Sequence, residues 1–156
     1  GDYIICDGIR GKVSSISYTS TMLEAIDGSV IAFTNSQLFT KNYKNMTKNH
    51  GFELDILEVG VAYGTNIQQV QKLLIDAITK LPFIDHRRKV NVVLKSFDDS
   101  CITLKILVWV NVLTQYGDDG KIMECVYQTL NDNNIEIPFP QRDVHIIKGE
   151  DVVEKK

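Results

Sequence analysis

Phe52-Glu53-Leu54-Asp55-Ile56-Leu57-Glu58-Val59-Gly60-Val61, continued by Ala62 to Leu81, is the stretch on which the fold turns. Phe52, Leu54 and Ile56 alternate with acidic Glu53 and Asp55, and Leu57, Val59 and Val61 then continue in the opposite phase. Side chains of a strand point to alternate faces, so this predicts a strand whose second half is buried on both faces, or one with a bulge. Asn66 stands where a helix N-cap belongs, with Gln69 three residues on. Ile67, Val70, Leu74, Ala77, Ile78 and Leu81 then form one apolar stripe at helical spacing, and Pro82 closes the helix.

Downstream the rhythm repeats. Val90, Val92 and Leu94 have period two, and Asp98-Asp99-Ser100 reads as a turn. Ile102, Leu104, Ile106, Val108 and Val110 are uniformly apolar, while Thr103, Lys105, Leu107 and Trp109 make a mixed opposite face. Ile122, Met123, Val126, Tyr127 and Leu130 mark a second amphipathic helix, stopped by Asn131-Asp132-Asn133-Asn134. Val144 to Ile147 reads as a last short strand before a charged tail. Strand, helix, strand, strand, helix, strand is the split βαβ arrangement, in which one sheet buries the stripes of two helices.

Upstream, residues 3 to about 47 read as short strands. Asp7-Gly8 and Gly11 bracket a first turn. Asp27-Gly28, between Met22–Ile26 and Val30–Phe33, is a hairpin signal with both central residues at positive φ. Asn35-Ser36 marks another turn. This spacing implies a small, strongly bent sheet or barrel. The polar stretch Lys41 to Gly51 begins as an edge strand, with Tyr43 and Met46 facing inward, and ends as a boundary. The expected organisation is an all-β domain over residues 1–49, an α+β domain over 50–148 and a charged tail over 149–156.

Composition excludes several functions. Apolar residues make 44% and charged residues 24%, the balance of a folded globular protein, and the net charge of −3 gives no pull toward nucleic acid or anionic lipid. The most apolar run, Ile102 to Leu113, is interrupted by Lys105 and Asn111 and falls short of the roughly 20 residues a spanning helix needs. The first residues lack the layout of a signal peptide and open abruptly in a strand, as expected of a chain trimmed at its N-terminus. Cys6, Cys101 and Cys125 are odd in number and far apart, so they are expected to be buried free thiols in a reducing compartment.

No phosphate-binding glycine loop occurs, because Gly8 and Gly11 lack the rest of the pattern. His50, His86 and His145 have no partner at metal-ligand spacing. Tyr116-Gly117-Asp118-Asp119-Gly120 lacks the alternating oxygens of a calcium loop and reads as a solvated turn or helix start. His86-Arg87-Arg88-Lys89 reads as a solvated basic loop, and Asp98-Asp99 is set too tightly for acid–base work. Asn45-Met46-Thr47 fits a glycosylation acceptor, against which the free thiols argue. No catalytic, cofactor-binding or metal-binding residue is assigned; no cofactor is expected.

Ile137-Pro138-Phe139-Pro140-Gln141-Arg142-Asp143-Val144-His145 resembles the motif that ends the α+β domain of small-conductance mechanosensitive channels. Further segments are similar in the same order: Gly1 to Ile4, Gly8 to Val13, Thr19 to Leu23, Asp27-Gly28 through Asn35, Val61-Ala62-Tyr63 with Ile67 and Val70, and Val108-Trp109. The motif positions carried over as structural are Gly8, Gly11, Asp27, Gly28, Asn35, Trp109, Pro138, Pro140, Gln141 and Asp143. Two departures stand out. Thr34 occupies a position that is usually proline, which implies a less rigid turn. Gly117 and Gly120 interrupt the start of the second long helix, at about 1 kcal/mol each in a helix interior, which implies fraying or bending there.

The resemblance implies a small Sm-like barrel followed by a ferredoxin-like α+β domain, the cytoplasmic vestibule of a bacterial inner-membrane channel subunit without its transmembrane helices. It implies a homo-heptameric ring, a link to the membrane through those absent helices, release of ions and small solutes under osmotic stress, and no nucleic-acid partner. The competing reading is an RNA-binding or small-ligand-binding module, which needs a basic aromatic face or a pocket of converging polar groups. Lys41, Tyr43, Lys44 and Lys48 offer a faint version of such a face.

Overall fold

The computed structural model describes residues 1–140, 142 and 144–147. Strands β1 (Tyr3–Cys6), β2 (Ile9–Ile16), β3 (Ser20–Ala25), β4 (Val30–Thr34) and β5 (Tyr43–Asn45) form one sheet in the order β4-β3-β2-β1-β5. Every pair in it is antiparallel, and a short helix α1 (Asn35–Thr40) links β4 to β5. After a single 3-10 turn at Thr47–Asn49 come β6 (Phe52–Val61), α2 (Ile67–Thr79), β7 (Asn91–Phe97), β8 (Ile102–Asn111) and α3 (Gln115–Asp132). These strands make a second antiparallel sheet, β6-β8-β7.

Each sheet has its own core. Ile4, Cys6, Val13, Leu23 and Phe33 cluster within the first. In the second, Val61, Leu104, Ile106, Val108 and Val110 are wholly buried against Val70, Leu74 and Ile78 of α2 and Ile122 and Leu130 of α3. Those helix residues belong to the two apolar stripes, so amphipathicity places both helices on the same face of the second sheet. Asn66 caps α2 by accepting from the Gln69 amide at 3.2 Å.

Local chemistry departs from expectation at several points. The two-residue turn with both residues at positive φ is Asp7-Gly8 (52° and 76°), closing Cys6 onto Ile9. At Asp27-Gly28 only Gly28 is left-handed (86°), because the loop is longer and Asp27 Oδ1 instead accepts from the Ser29 amide at 2.9 Å. Gly11 lies inside β2 rather than in a turn. Its absent side chain lets β3 approach: a Cβ there would sit 2.7 Å from the Glu24 carbonyl oxygen. Gly11→Ala is therefore expected to destabilise the first sheet by about 1–3 kcal/mol, the usual range for forced overpacking, measured as a lower urea midpoint at unchanged m-value.

Asn35-Ser36 opens helix α1 instead of a turn. Thr34 and Gln37 form a reciprocal capping box, so the residue in the usual proline position orders this junction through hydrogen bonds. Tyr43 is half exposed on edge strand β5, not inward-facing, and Met46 is only partly buried. β6 pairs with β8 without a register shift from Phe52–Asn111 to Val61–Ile102, so it has no bulge. Its second phase faces the helices, while Leu54 and Ile56 lie on the uncovered face. The irregularities fall in β2 at Val13/Ser15 and β7 at Leu94/Ser96.

Helix α3 runs unbroken through Gly117 and Gly120. Val144 to Ile147 form no strand and are exposed, leaving the second sheet three-stranded among the described residues. The chain returns beside the end of β6 at Glu136, whose carbonyl accepts from the Ala62 amide at 3.0 Å. Pro138 and Pro140, lacking amide hydrogens, follow at once and cannot donate to a ladder. Cys6 is buried, whereas Cys101 and Cys125 are only partly so; all three are free.

Candidate functional site

The residues that bring the two sheets together come from three elements. Arg10 projects from β2, Glu53 and Asp55 from β6, and Gln115 and Asp119 from the first turns of α3. Arg10 Nη2 donates to both carboxylate oxygens of Glu53 (2.6 and 2.5 Å), and Nη1 donates to Gln115 Oε1 (2.6 Å). Gln115 Nε2 in turn donates to Asp55 Oδ1 at 2.7 Å. Both partners of the Arg10–Glu53 pair are largely buried, so it is screened less than a surface pair. The Arg10 guanidinium is pushed above its usual range: burial opposes this, and the Glu53 hydrogen bond and charge outweigh it.

Around this bridge are atoms without donors. Asp55 Oδ2, Asp119 Oδ1 and the Tyr3 hydroxyl are buried with no hydrogen-bond partner. Burial, then the carboxylates of Asp55, Asp118 and Glu53, push Asp119 up to about 7. Burial likewise raises the Tyr3 hydroxyl above its usual range.

A second cluster ties the 82–90 loop to β8. Asp85, 4% exposed, accepts from the Arg87 amide and Nε (both 3.0 Å) and from Arg88 Nη1 (2.8 Å). Arg88 lies 4.1 Å over the Trp109 ring and donates through Nη2 to Asn49 Oδ1 at 2.6 Å. The basic run is thus not merely solvated: Arg87 and Arg88 are spent on a buried carboxylate and an aromatic face.

The motif residues fall in separate places. Gly8 and Gly28 occupy left-handed turn positions, Gly11 a close backbone approach, and Asp27 the hairpin loop. Asn35 Oδ1 accepts from Thr21 Oγ1, while Nδ2 donates to the carbonyls of Ser17 and Tyr18, joining the β2–β3 loop to α1. Trp109 is the stacking platform on β8. Pro138 and Pro140 lie in the irregular segment after α3, and Gln141 and Asp143 lie outside the described residues. Of the described motif residues, Gly8 and Asp27 line one groove. Arg10, Glu53, Asp55, Asp85, Gln115 and Asp119 were not singled out by sequence as functional; for Glu53 and Asp55 the signal available was charge within an otherwise apolar strand.

Among the described residues no group of His, Cys, Asp and Glu is placed to hold a metal, and no helix is long and apolar enough to cross a membrane. A groove of about 410 Å³ runs between the β1–β2 turn, the β3–β4 loop and Tyr116, but Arg10 on its wall is already paired with Glu53.

Two family descriptions match the sequence: "Mechanosensitive ion channel, beta-domain" over residues 1–48 and "Mechanosensitive ion channel MscS, C-terminal" over residues 55–137. The small-conductance mechanosensitive channel of Edwardsiella ictaluri is 32% identical over 149 residues, covering 96% of this chain and 52% of the relative. That of Helicobacter pylori is 28% identical over 157 residues, covering 97% and 55%. The chain spans about half the length of these curated relatives. The crystal structure of H. pylori MscS in its closed state superposes with a TM-score of 0.81 at 28% identity, over 95% of this chain and 58% of that one. Arabidopsis thaliana MSL1 superposes at 0.73 with 12% identity over 89% of this chain and 50% of that one, a likeness of fold alone.

Proposed function

Since the chain belongs to the MscS family of mechanosensitive ion channels, we propose that it is the cytoplasmic vestibule portion of a tension-gated channel that releases ions and small solutes on osmotic shock. In this reading residues 1–49 are a small Sm-like barrel under the pore, residues 50–148 a ferredoxin-like α+β domain enclosing the vestibule, and residues 149–156 a tail. Copies form a homo-heptameric ring hung from transmembrane helices in a bacterial inner membrane. The chain's work is assembly and solute filtering; it performs no catalysis and needs no cofactor.

The observation that carries this reading is that both sheets match, in chain order, one subunit of a closed mechanosensitive channel. Surface chemistry supports it. Among the described residues the first sheet ends in two unpaired edges, β4 and β5, and exposed strand edges invite pairing or coverage by another copy. Ile16, Tyr18, Val30 and Phe39 add large apolar side chains that are 59–100% exposed on this unit, an apolar surface of the kind that marks an interface. A cyclic ring needs a heterologous contact, one patch against a different one, and two dissimilar edges provide it. The RNA-binding reading is weakened, because Lys41 of its faint basic face is paired with Asp7.

The test joins the chain to membrane helices of a relative and reconstitutes it in liposomes. Tension-activated conductance and a protein mass of seven subunits by light scattering are expected. Charged substitutions at Ile16 and Phe39 are expected to lower the assembled fraction at least about tenfold, equivalent to 1.4 kcal/mol. A monomer without conductance, or an intact ring in both variants, would defeat the respective claims.

A further inference from the structure

The junction between the sheets holds two carboxyl groups that cannot both be ionised comfortably. Asp55 Oδ1 is satisfied by Gln115, but Asp55 Oδ2 and Asp119 Oδ1 are buried without a donor. Gln115, which holds Asp55, precedes Asp119 by one turn of α3, so the two carboxyl groups lie toward the same face of that helix at its contact with β6. Carboxylates only accept, so two buried ones without a donor can pair only through a shared proton. We propose that Asp55 and Asp119 share a proton and act as a pH-sensitive clasp that holds the first turns of α3 against β6 at the junction of the two sheets.

The charges around the pair leave it no other neutralisation. From β6, Glu53 faces it and is bound by Arg10. From α3, Asp118 adds a further negative charge while accepting from Thr114 Oγ1, and Tyr116 stands near the Arg10 side of the network. From β2 the cation is Arg10, already shared between Glu53 and Gln115; β1 adds the Tyr3 hydroxyl, near Arg10 and Glu53. Burial and three carboxylates therefore raise Asp119 to about 7 from 3.8.

The sign follows from linkage. A folded-state value above the unfolded one means that the folded chain binds the proton more tightly. The stabilisation is fully present below the unfolded value of 3.8 and is lost as pH rises through about 7. Above that, two adjacent carboxylates repel across the β6–α3 contact. Gln115 links Asp55 to Arg10, so the loosening reaches β2 and the first sheet. Acidification tightens the junction and alkalinity relaxes it. This device belongs to the single chain and does not depend on ring assembly.

The test titrates the carboxyl carbons of the 156-residue chain by NMR between about pH 4 and about pH 9, with thermal melts near pH 5.5 and pH 8. The Asp119 carboxyl is expected to titrate near 7, and the melting temperature is expected to fall between the two conditions. In Asp119→Asn the amide donates permanently to Asp55 Oδ2. The high titration should vanish, and the melting difference should shrink to less than about half. All aspartates titrating below about 5, or an undiminished melting difference in Asp119→Asn, would overturn the clasp. Should that variant fail to fold, the titration of the unsubstituted chain decides alone.

Discussion

Phe33→Ala is expected to unfold the first sheet selectively. Phe33 is 7% exposed and packs with Ile4, Cys6, Val13 and Leu23, the only other members of that buried cluster among the described residues. Truncating a buried phenylalanine costs about 3–5 kcal/mol through lost transfer energy and the cavity left behind. Whole domains are stable by only about 5–15 kcal/mol, and small ones sit at the low end. A loss of that size removes most of what so small a core supplies. The second sheet has a larger cluster, fed by both α2 and α3, and it should survive. Trp109, the single tryptophan, sits on β8 and reports that sheet alone by fluorescence. In urea, the far-UV signal of Phe33→Ala should split into two transitions, the Trp109 transition moving by less than about 1 kcal/mol. Both signals collapsing together by the full amount would mean that the two cores fold as one cooperative unit, through the Arg10 bridge.

The second large effect belongs to Asp85→Ala. This carboxylate is almost wholly buried and accepts from the backbone and guanidinium of Arg87 and from Arg88. Its removal leaves Arg88 held over Trp109 by stacking and Asn49 alone. Lost charge-assisted hydrogen bonds amount to about 1.5–3 kcal/mol each, but Arg87 is half exposed and regains water. A net loss of about 2–3 kcal/mol is therefore expected, with a change in Trp109 emission as the guanidinium moves. Unaltered stability and emission would show that the cluster is incidental.

The pH signature of Asp85 runs opposite to that of the Asp55–Asp119 pair. The Arg87 hydrogen bond, against the cost of burial and with the Arg88 charge added, holds the Asp85 carboxyl below its ordinary range. A lowered folded-state value contributes stability above the unfolded value of 3.8 that is lost as pH falls through the folded one. The clasp loses its contribution as pH rises through about 7. The chain should accordingly be most stable in mild acid, between those limits, and Asp85→Ala should flatten only the acid limb.

Much of this architecture was legible residue by residue, because its causes are local. The stripe from Ile67 to Leu81, the Asn66 cap, the apolar face of Ile102 to Val110 and the turn glycines at Gly8 and Gly28 all act within a few positions of themselves. The Thr34–Gln37 capping box is equally local, and it opens a helix where Asn35-Ser36 predicts a turn. Val144 to Ile147 has the apolar composition of a strand, yet a strand exists only where an edge accepts it. Pro138 and Pro140 intervene just where the chain leaves the edge of β6.

Local sequence pattern suffices for two sheets in order, for the helices that cover the second, and for the absence of any spanning helix among the described residues. Period, caps and turn angles are properties of neighbouring residues, and they need no knowledge of the rest of the molecule. Which charges meet is set by the folded chain. Arg10 and Gln115 stand 105 positions apart, Gln115 and Asp55 60 apart, and Arg88 and Asn49 39 apart. Whether a carboxylate is paired, or must share its proton, depends on distance and burial, and residue type carries neither.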